Sequence, residues 1–281
     1  MIPVAKIKKD LQYSQNLKEV IDILKLISSS EFSRLTNIAP GENELEKYVV
    51  ASLGMIQRTG TENKFFMERE DLPRGYVLVC SDEGFLGEMN NRVINQTLLH
   101  GAGKKKRFTV LGERGAEQLE GIDLEKTVFP AINSEIDDGD ILKLTNHIFD
   151  QYKKNEVGSV YVVYMHFHSF TSHKTETVRL LPCNELIGHL GAQTEIGDVI
   201  VKPDADGVID YIVKMWIKSK VQDVFWSSKL SEWAIRIMRL ESSSDELKEI
   251  TENLRFNYFK SVHALSDKVI REIFAAKAIR L

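Results

Sequence analysis

Proline and cysteine are scarce in this chain of 281 residues, which carries 6 of the first and 2 of the second. Cys80 and Cys183 are far apart, belong to no C-x-x-C pair and form no even set at framework spacing. That excludes a disulfide scaffold and a cysteine metal knuckle, and it suits a reducing compartment. No window holds ~18 uninterrupted apolar residues, and the first residues lack the charged, apolar and small-residue order of an export signal. Neither a membrane span nor secretion is expected. Positive charge is not in excess, because 37 Lys and Arg stand against 41 Asp and Glu for a net charge of -4. Nucleic-acid binding needs a concentrated basic face, so no nucleic-acid partner is expected. The one dense basic run, Lys104 to Arg107, follows His100-Gly101-Ala102-Gly103 and reads as a solvated turn.

Catalytic signatures are missing as well. There is no P-loop, nucleophile elbow or H-E-x-x-H pattern. No catalytic residue, metal ligand or cofactor is therefore expected. Two stretches come nearest. Ser81-Asp82-Glu83-Gly84-Phe85-Leu86-Gly87-Glu88-Met89-Asn90 lies where a strand hands over to a helix, the place where open α/β sheets hold phosphates. Gly84 and Gly87 do not make G-x-G-x-x-G, so the stretch reads as a tight turn with glycine where the backbone bends. His166-x-His168 followed by His173 has the spacing of two imidazoles on one strand face, but no Cys, Asp or Glu is expected to complete a set nearby. It reads as a polar hairpin.

Against these absences stands one long uninterrupted segment. From Val208 to Leu281 there is no proline and no glycine. Its apolar residues Leu247, Ile250, Leu254, Tyr258, Val262, Leu265, Val269, Ile273 and Ala276 fall in steps of three and four, the face of a helix. Four-residue steps are in the majority, which predicts little left-handed supercoil. At ~1.5 Å per residue such a helix is on the order of 110 Å long. The other end of the chain predicts a second long helix on Val4, Ile7, Leu11, Leu17, Ile21, Leu24 and Ile27, broken near Pro40 and Gly41. Helical pattern resumes from Glu44 to about Gln57.

Between these helices come short runs rich in β-branched and aromatic residues: Gly75–Ser81, Phe108–Gly112, Thr127–Phe129 and Val157–Met165. Helical patterns at Met89–His100, Ala116–Leu119 and Asp140–Lys153 alternate with them, as in a parallel sheet covered by helices. Glu176–Leu181 follows the last run after a short turn and is expected to pair antiparallel at the edge. Trp216, Phe225, Trp226 and Trp233 are expected to pack on this α/β unit. The predicted fold class is α/β: a long antiparallel two-helix coiled coil of the N- and C-terminal helices with an inserted small Rossmann-like α/β domain. The expected domains are 1–60, 72–200 and 205–281.

Three stretches, in order, resemble the gamma subunit of F-type ATP synthases: LKLISSSEFSRL (Leu24–Leu35), SDEGFLGEMN (Ser81–Asn90) and SEWAIRIMRLESSSDELKEI (Ser231–Ile250). Arg179-Leu180-Leu181-Pro182 is similar to the family's strand end. The resemblance covers essentially the whole chain. It implies a non-catalytic rotor shaft turning inside a hexamer of alpha and beta subunits, joined to an epsilon subunit and a membrane rotor ring. That would place the chain peripherally on the cytoplasmic face of a bacterial inner membrane. It also implies contacts to the hexamer at Leu24, Lys25, Glu83, His263 and Asp267. Of these, Glu83 stands where the family has Arg, Val262-His263 where it has Arg-Gln, and Asp267 where it has Thr. Lys277 and Arg280 interrupt an end that is apolar and small in the family. Two other readings stay open: a free-standing α/β nucleotide-binding module using Ser81–Asn90, and a coiled-coil adaptor derived from the family.

Overall fold

Every fourth-then-third residue of the first helix is shielded from water, and that spacing organises one of the chain's two compact units. A computed structural model describes residues 4–38, 44–58, 63–121, 125–133, 135–184 and 205–278. The first helix, α1, is Val4–Ile38, and the last, α6, is Ala205–Ala278 without interruption. One unit comprises Met1–Ser30 and Arg236–Leu281; the other comprises Glu31–Ile235. Both cuts fall inside the long helices, so each helix serves both units, whereas the expected limits at 60 and 205 followed element ends.

In the first unit Ile7, Ser14, Ile21 and Ser28 are buried, with Val4, Leu11, Lys18 and Lys25 half-buried between them. On α6 the matching positions are the buried Leu240 and Leu247 and the half-buried Leu254 and Ser261, with Ser244, Thr251 and Tyr258 half-buried between. Both sets repeat every ~7 residues, the period of a left-handed coiled-coil seam. The four-residue majority anticipated from the apolar residues does not set this seam. Ile250 is 52% exposed, and Leu17 and Ile27 face water too. Counting only apolar residues passed over the serines and Thr251, small side chains that let the helices approach and satisfy their hydroxyls locally. Ser28 donates to the Leu24 carbonyl and Thr251 to the Leu247 carbonyl, each at 2.7 Å. Since that bond uses the Thr251 proton, Ser14 donates to Thr251 Oγ1 at 2.6 Å.

The pairing is antiparallel. Ser14 meets Thr251, while further along α1 Ile21 and Leu24 pack with Leu240 and Leu247, and Lys25 pairs with Glu241. Beyond Thr251, α6 therefore runs toward the start of α1 at Val4 and past it. Every described residue from Leu265 to Ala278 is exposed. The end of α1 reaches only Ile38; Pro40 and Gly41 lie outside the described residues.

The second unit is built on a sheet of order β3-β2-β1-β4-β5, from β1 (Arg74–Val79), β2 (Lys106–Leu111), β3 (Glu125–Phe129), β4 (Ser159–Ser169) and β5 (Ser172–Leu181). The first four are parallel and β5 is antiparallel to β4 at the edge, as expected. Alternation along β1 sends Val77 and Val79 to one face and Tyr76 and Leu78 to the other. The first face is covered by α2 (Glu44–Arg58), α5 (Asp138–Lys153) and the beginning of α6, through Leu53, Ile148 and Trp216. The second is covered by α3 (Met89–Leu99) and the short α4 (Glu113–Glu117), through Val93 and Ala116. Trp216 and Phe225 belong to the first layer, and Trp216 Nε1 donates to the Leu180 carbonyl at 3.1 Å. Trp226 is half-buried, and Trp233 is buried beside the Lys229 ammonium.

Only the first half of the basic run, Lys104 and the exposed Lys105, follows the turn; Lys106 and Arg107 are on β2. Lys106 Nζ donates to the Thr97 and Leu98 carbonyls at 2.8 Å each, closing the C-terminus of α3, and Arg107 pairs with Glu125 and Glu156. A cation suits unpaired carbonyls at a helix end, which spacing in the sequence does not reveal.

Two outcomes follow. Burial pushes the Cys80 and Cys183 thiols up to about 12, so neither should react with a disulfide reagent until the chain is unfolded, when both should. Leu240 has no exposure, so Leu240→Ala should weaken the helical pair by about 2–4 kcal/mol in urea unfolding followed by circular dichroism. An unchanged profile would mean that the seam runs elsewhere.

Candidate partner-contact surfaces

The three family-like stretches are distant in sequence, and the second unit gathers parts of all of them. Leu86 and Met89 of Ser81–Asn90 form one buried cluster with Met165 of β4, and Ile235 of Ser231–Ile250 packs against it. Phe32, from Leu24–Leu35, sets its ring 5.7 Å from that of Phe167 and 5.5 Å from that of Phe170, on the β4–β5 hairpin. Ser231 to Ala234 are buried, and Glu232 among them pairs with the buried Lys229, whose Nζ lies 3.0 and 3.1 Å from the two carboxylate oxygens. Much of what the stretches share is thus internal packing. Removing one member of such a pair strands the other charge, which keeps both residues in place.

The loop between β1 and α3 is fixed from both ends. The Ser81 N–H donates to Asn90 Oδ1 at 3.0 Å, and Asn90 Nδ2 donates back to the Ser81 carbonyl at 2.8 Å. Asp82 Oδ1 accepts from the Arg114 N–H at 2.9 Å, and the Arg114 guanidinium donates to the Glu83 carbonyl at 3.1 Å. Gly112, which precedes α4, has φ 96°, and a Cβ there would stand 3.0 Å from Asp82 Oδ1. Glycine meets both constraints. Phe85 takes φ 62°, a left-handed value that phenylalanine rarely adopts, and is 52% exposed. The loop holds an aromatic ring in water, a feature that composition and motif spacing did not single out.

Beside this loop, at the carboxyl ends of the central strands, lies a cleft of about 590 Å³ lined by Ser81, Asp82, Glu83, Glu113 and residues 128–133. This is where a doubly wound sheet would hold a nucleotide. Three acidic residues line it against the one guanidinium of Arg114 beside Glu83, and the Arg114 N–H at the adjoining helix start is already taken by Asp82. Such a lining repels a phosphate.

The expected contact residues divide between the units. Leu24, Lys25, His263 and Asp267 are in the helical pair, and Glu83 is in the sheet unit. Leu24 is half-buried against Ile21, Leu240 and Leu247. Lys25 is bound to Glu241, whose hydrogen bond raises the ammonium's pKa above its usual value. His263 and Asp267 are exposed on α6, and Glu83 is exposed on its loop. Lys277 is exposed; Arg280 lies outside the described residues.

The sequence profile described as "ATP synthase" matches residues 4–276. The chain belongs to the ATP synthase gamma family. Relatives include the ATP synthase gamma chain of Clostridium beijerinckii, 23% identical over 97% of this chain and 96% of that protein. The gamma chain of Staphylococcus aureus strain JH9 is 21% identical over 99% of both. Among solved structures, the rotor of the Euglena gracilis mitochondrial ATP synthase in rotational state 1 superposes with TM-score 0.66 at 12% identity, covering 93% of this chain and 98% of that one. A chain of the same enzyme's OSCP/F1/c-ring assembly in rotational state 3 gives 0.68 at 12% identity, over 98% and 93%. These likenesses establish a shared fold, and the profile establishes the family. The role is that of a gamma chain, the non-catalytic rotor shaft of an F-type ATP synthase. The nucleotide-binding alternative built on Ser81–Asn90 gives way to it.

The acidic cleft makes this testable on the purified chain. Calorimetric titration with Mg-ATP should give no saturable binding at micromolar concentrations, and Glu83→Gln should not create any. A binding isotherm that Glu83→Gln strengthens would show that the cleft is a nucleotide site held back by charge.

Proposed function

We propose that the α1–α6 pair works as a shaft inside a hexamer of alpha and beta subunits, with an epsilon subunit and the membrane rotor ring as its other partners. The observation that carries this reading is the unaccompanied end of α6. Leu265, Val269, Ile270, Ile273 and Phe274 are between 47% and 68% exposed on a helix with no α1 beside it. An apolar surface of that kind calls for a protein sleeve. Leu24, Lys25, His263 and Asp267 of the helical pair and, separately, Glu83 of the sheet unit are the residues we assign to the hexamer. His263 and Asp267 would meet it directly, while Leu24 and Lys25 would do so from within the helical pair.

A rod that presents different side chains around its circumference gives each of several equivalent catalytic sites a different neighbour. Each site then favours a different conformation, and turning the rod exchanges those preferences. With Glu83, His263 and Asp267 in place of Arg, Gln and Thr, the contacts in this chain are acidic or titratable, so its hexamer must answer with basic or donor groups. No described helix is long and apolar enough to cross a membrane. The chain then meets the membrane sector through other subunits, at the cytoplasmic face of a bacterial inner membrane, a placement favoured by its bacterial relatives.

Reassembly with the chain's own alpha and beta subunits tests the contact assignment. The double variant His263→Ala, Asp267→Ala should fold and assemble as the parent does. Its ATP-driven turnover should fall several-fold, with a weaker dependence on ionic strength than the parent shows. Parent-like turnover with parent-like salt dependence would remove both residues from the contact.

A further inference from the structure

The strand ladder completes a ligand set that the sequence left unfinished. β4 and β5 pair with Tyr164 opposite Glu176, His166 opposite Lys174 and Phe167 opposite His173. Side chains alternate between faces, so Tyr164, His166, His168 and Glu176 share one face, while His173 stacks on Phe167 on the other. The carboxylate missing from the run His166-x-His168 therefore comes from across the hairpin. Ligand atoms of His166, His168 and Glu176 all lie within 4.8 Å of one another.

Their spacing suits an ion. Glu176 Oε2 is 3.7 Å from His166 Nδ1, and Glu176 Oε1 is 3.3 Å from His168 Nε2. Bonds of about 2.0–2.2 Å in a tetrahedron put neighbouring ligand atoms roughly 3.3–3.5 Å apart. The two imidazole centroids are 4.6 Å apart with their planes at 73°, so the rings do not block each other.

The surroundings prepare the His166 lone pair. Ser227 Oγ accepts from the Phe167 N–H at 3.0 Å and stands 3.1 Å from His166 Nδ1, with the Tyr164 hydroxyl also 3.1 Å from that nitrogen. The Ser227 proton is thus free to point at Nδ1, which holds the ring in the tautomer with Nδ1 unprotonated, and an ion takes that lone pair by displacing the Ser227 hydrogen bond. Glu176 accepts a further hydrogen bond from Tyr164 at 3.5 Å, as a metal-bound carboxylate commonly does from its surroundings. Lys174, the cation on the same face, is exposed and carries its charge on a flexible stem that can stay in water.

We propose that His166, His168 and Glu176 form a site for a late first-row divalent cation, best matched by Zn²⁺, with water in the fourth position. Two imidazoles and one carboxylate select such an ion over Mg²⁺ or Ca²⁺, which take oxygen ligands in larger number. The site joins β4 to β5 beside the hairpin residues Phe167 and Phe170 that hold Phe32. Occupancy would stiffen the hairpin that grips α1, independently of the shaft role.

The test is titration of the full-length, tag-free, metal-stripped chain with Zn²⁺ alone, followed by calorimetry, with Co²⁺ as a spectroscopic substitute. One equivalent should bind with a dissociation constant of about micromolar or tighter, and Co²⁺ should develop the strong visible absorption of a tetrahedral centre. His168→Ala and Glu176→Gln should each weaken binding by roughly 10- to 100-fold with an unchanged circular dichroism spectrum. His173→Ala, on the opposite face, should leave binding as it was. Absence of saturable binding overturns the assignment. So does binding that both His168→Ala and Glu176→Gln leave intact, or that His173→Ala abolishes.

Discussion

A single hydrogen bond between two hydroxyls sets the register on which the helical unit depends. Ser14 and Thr251 meet at 2.6 Å in a seam that alternates large apolar residues with small polar ones. In an all-leucine seam, sliding one helix by a heptad would cost little. A paired polar position penalises every register except the one that satisfies it. That register brings Lys25 to Glu241 and leaves the part of α6 beyond Leu265 without a companion among the described residues. The free end is thus a consequence of where two hydroxyls meet.

The sheet unit does a different job. It anchors the roots of both helices, with Phe32 on the β4–β5 hairpin and Ile235 on the cluster of Leu86, Met89 and Met165. The stretches that carry the family resemblance coincide with these anchors. Identity of only 21–23% to its relatives is compatible with a retained fold because the anchors are matters of shape and burial, which many side chains satisfy. The carboxylates around the cleft and the buried thiols fit a unit whose purpose is mechanical. Its strand-end crevice keeps the geometry of a nucleotide fold and presents charge of the wrong sign for a phosphate.

Much of the fold was legible because period and punctuation are local. The absence of proline and glycine after Gly207 marked α6, and β-branched runs marked each strand, including the antiparallel edge at β5. The seam was less legible, because its serines and Thr251 are invisible to a count of apolar residues. Tertiary pairing hid more. Glu176 meets His166 and His168 only once the hairpin register is known, and Lys106 meets the end of α3 only across a strand. The exposure of His263 and Asp267 depends on where α1 begins relative to α6, which no local pattern encodes. Glu83 was legible as a departure from the family, but not as one of three acidic residues lining a common cleft.

If α1 and α6 turn as one body, joining them covalently should change nothing about the turning. Ser14→Cys with Thr251→Cys places two thiols where the hydroxyls now touch, close enough for a disulfide. The decisive measurement is single-molecule rotation of a bead fixed to this chain in the immobilised alpha and beta hexamer, before and after oxidation of that pair. Unidirectional ATP-driven rotation at the same rate is expected in both states. Rotation that stops on oxidation and returns on reduction would show that the helices must move against each other, and that the chain is not a single shaft.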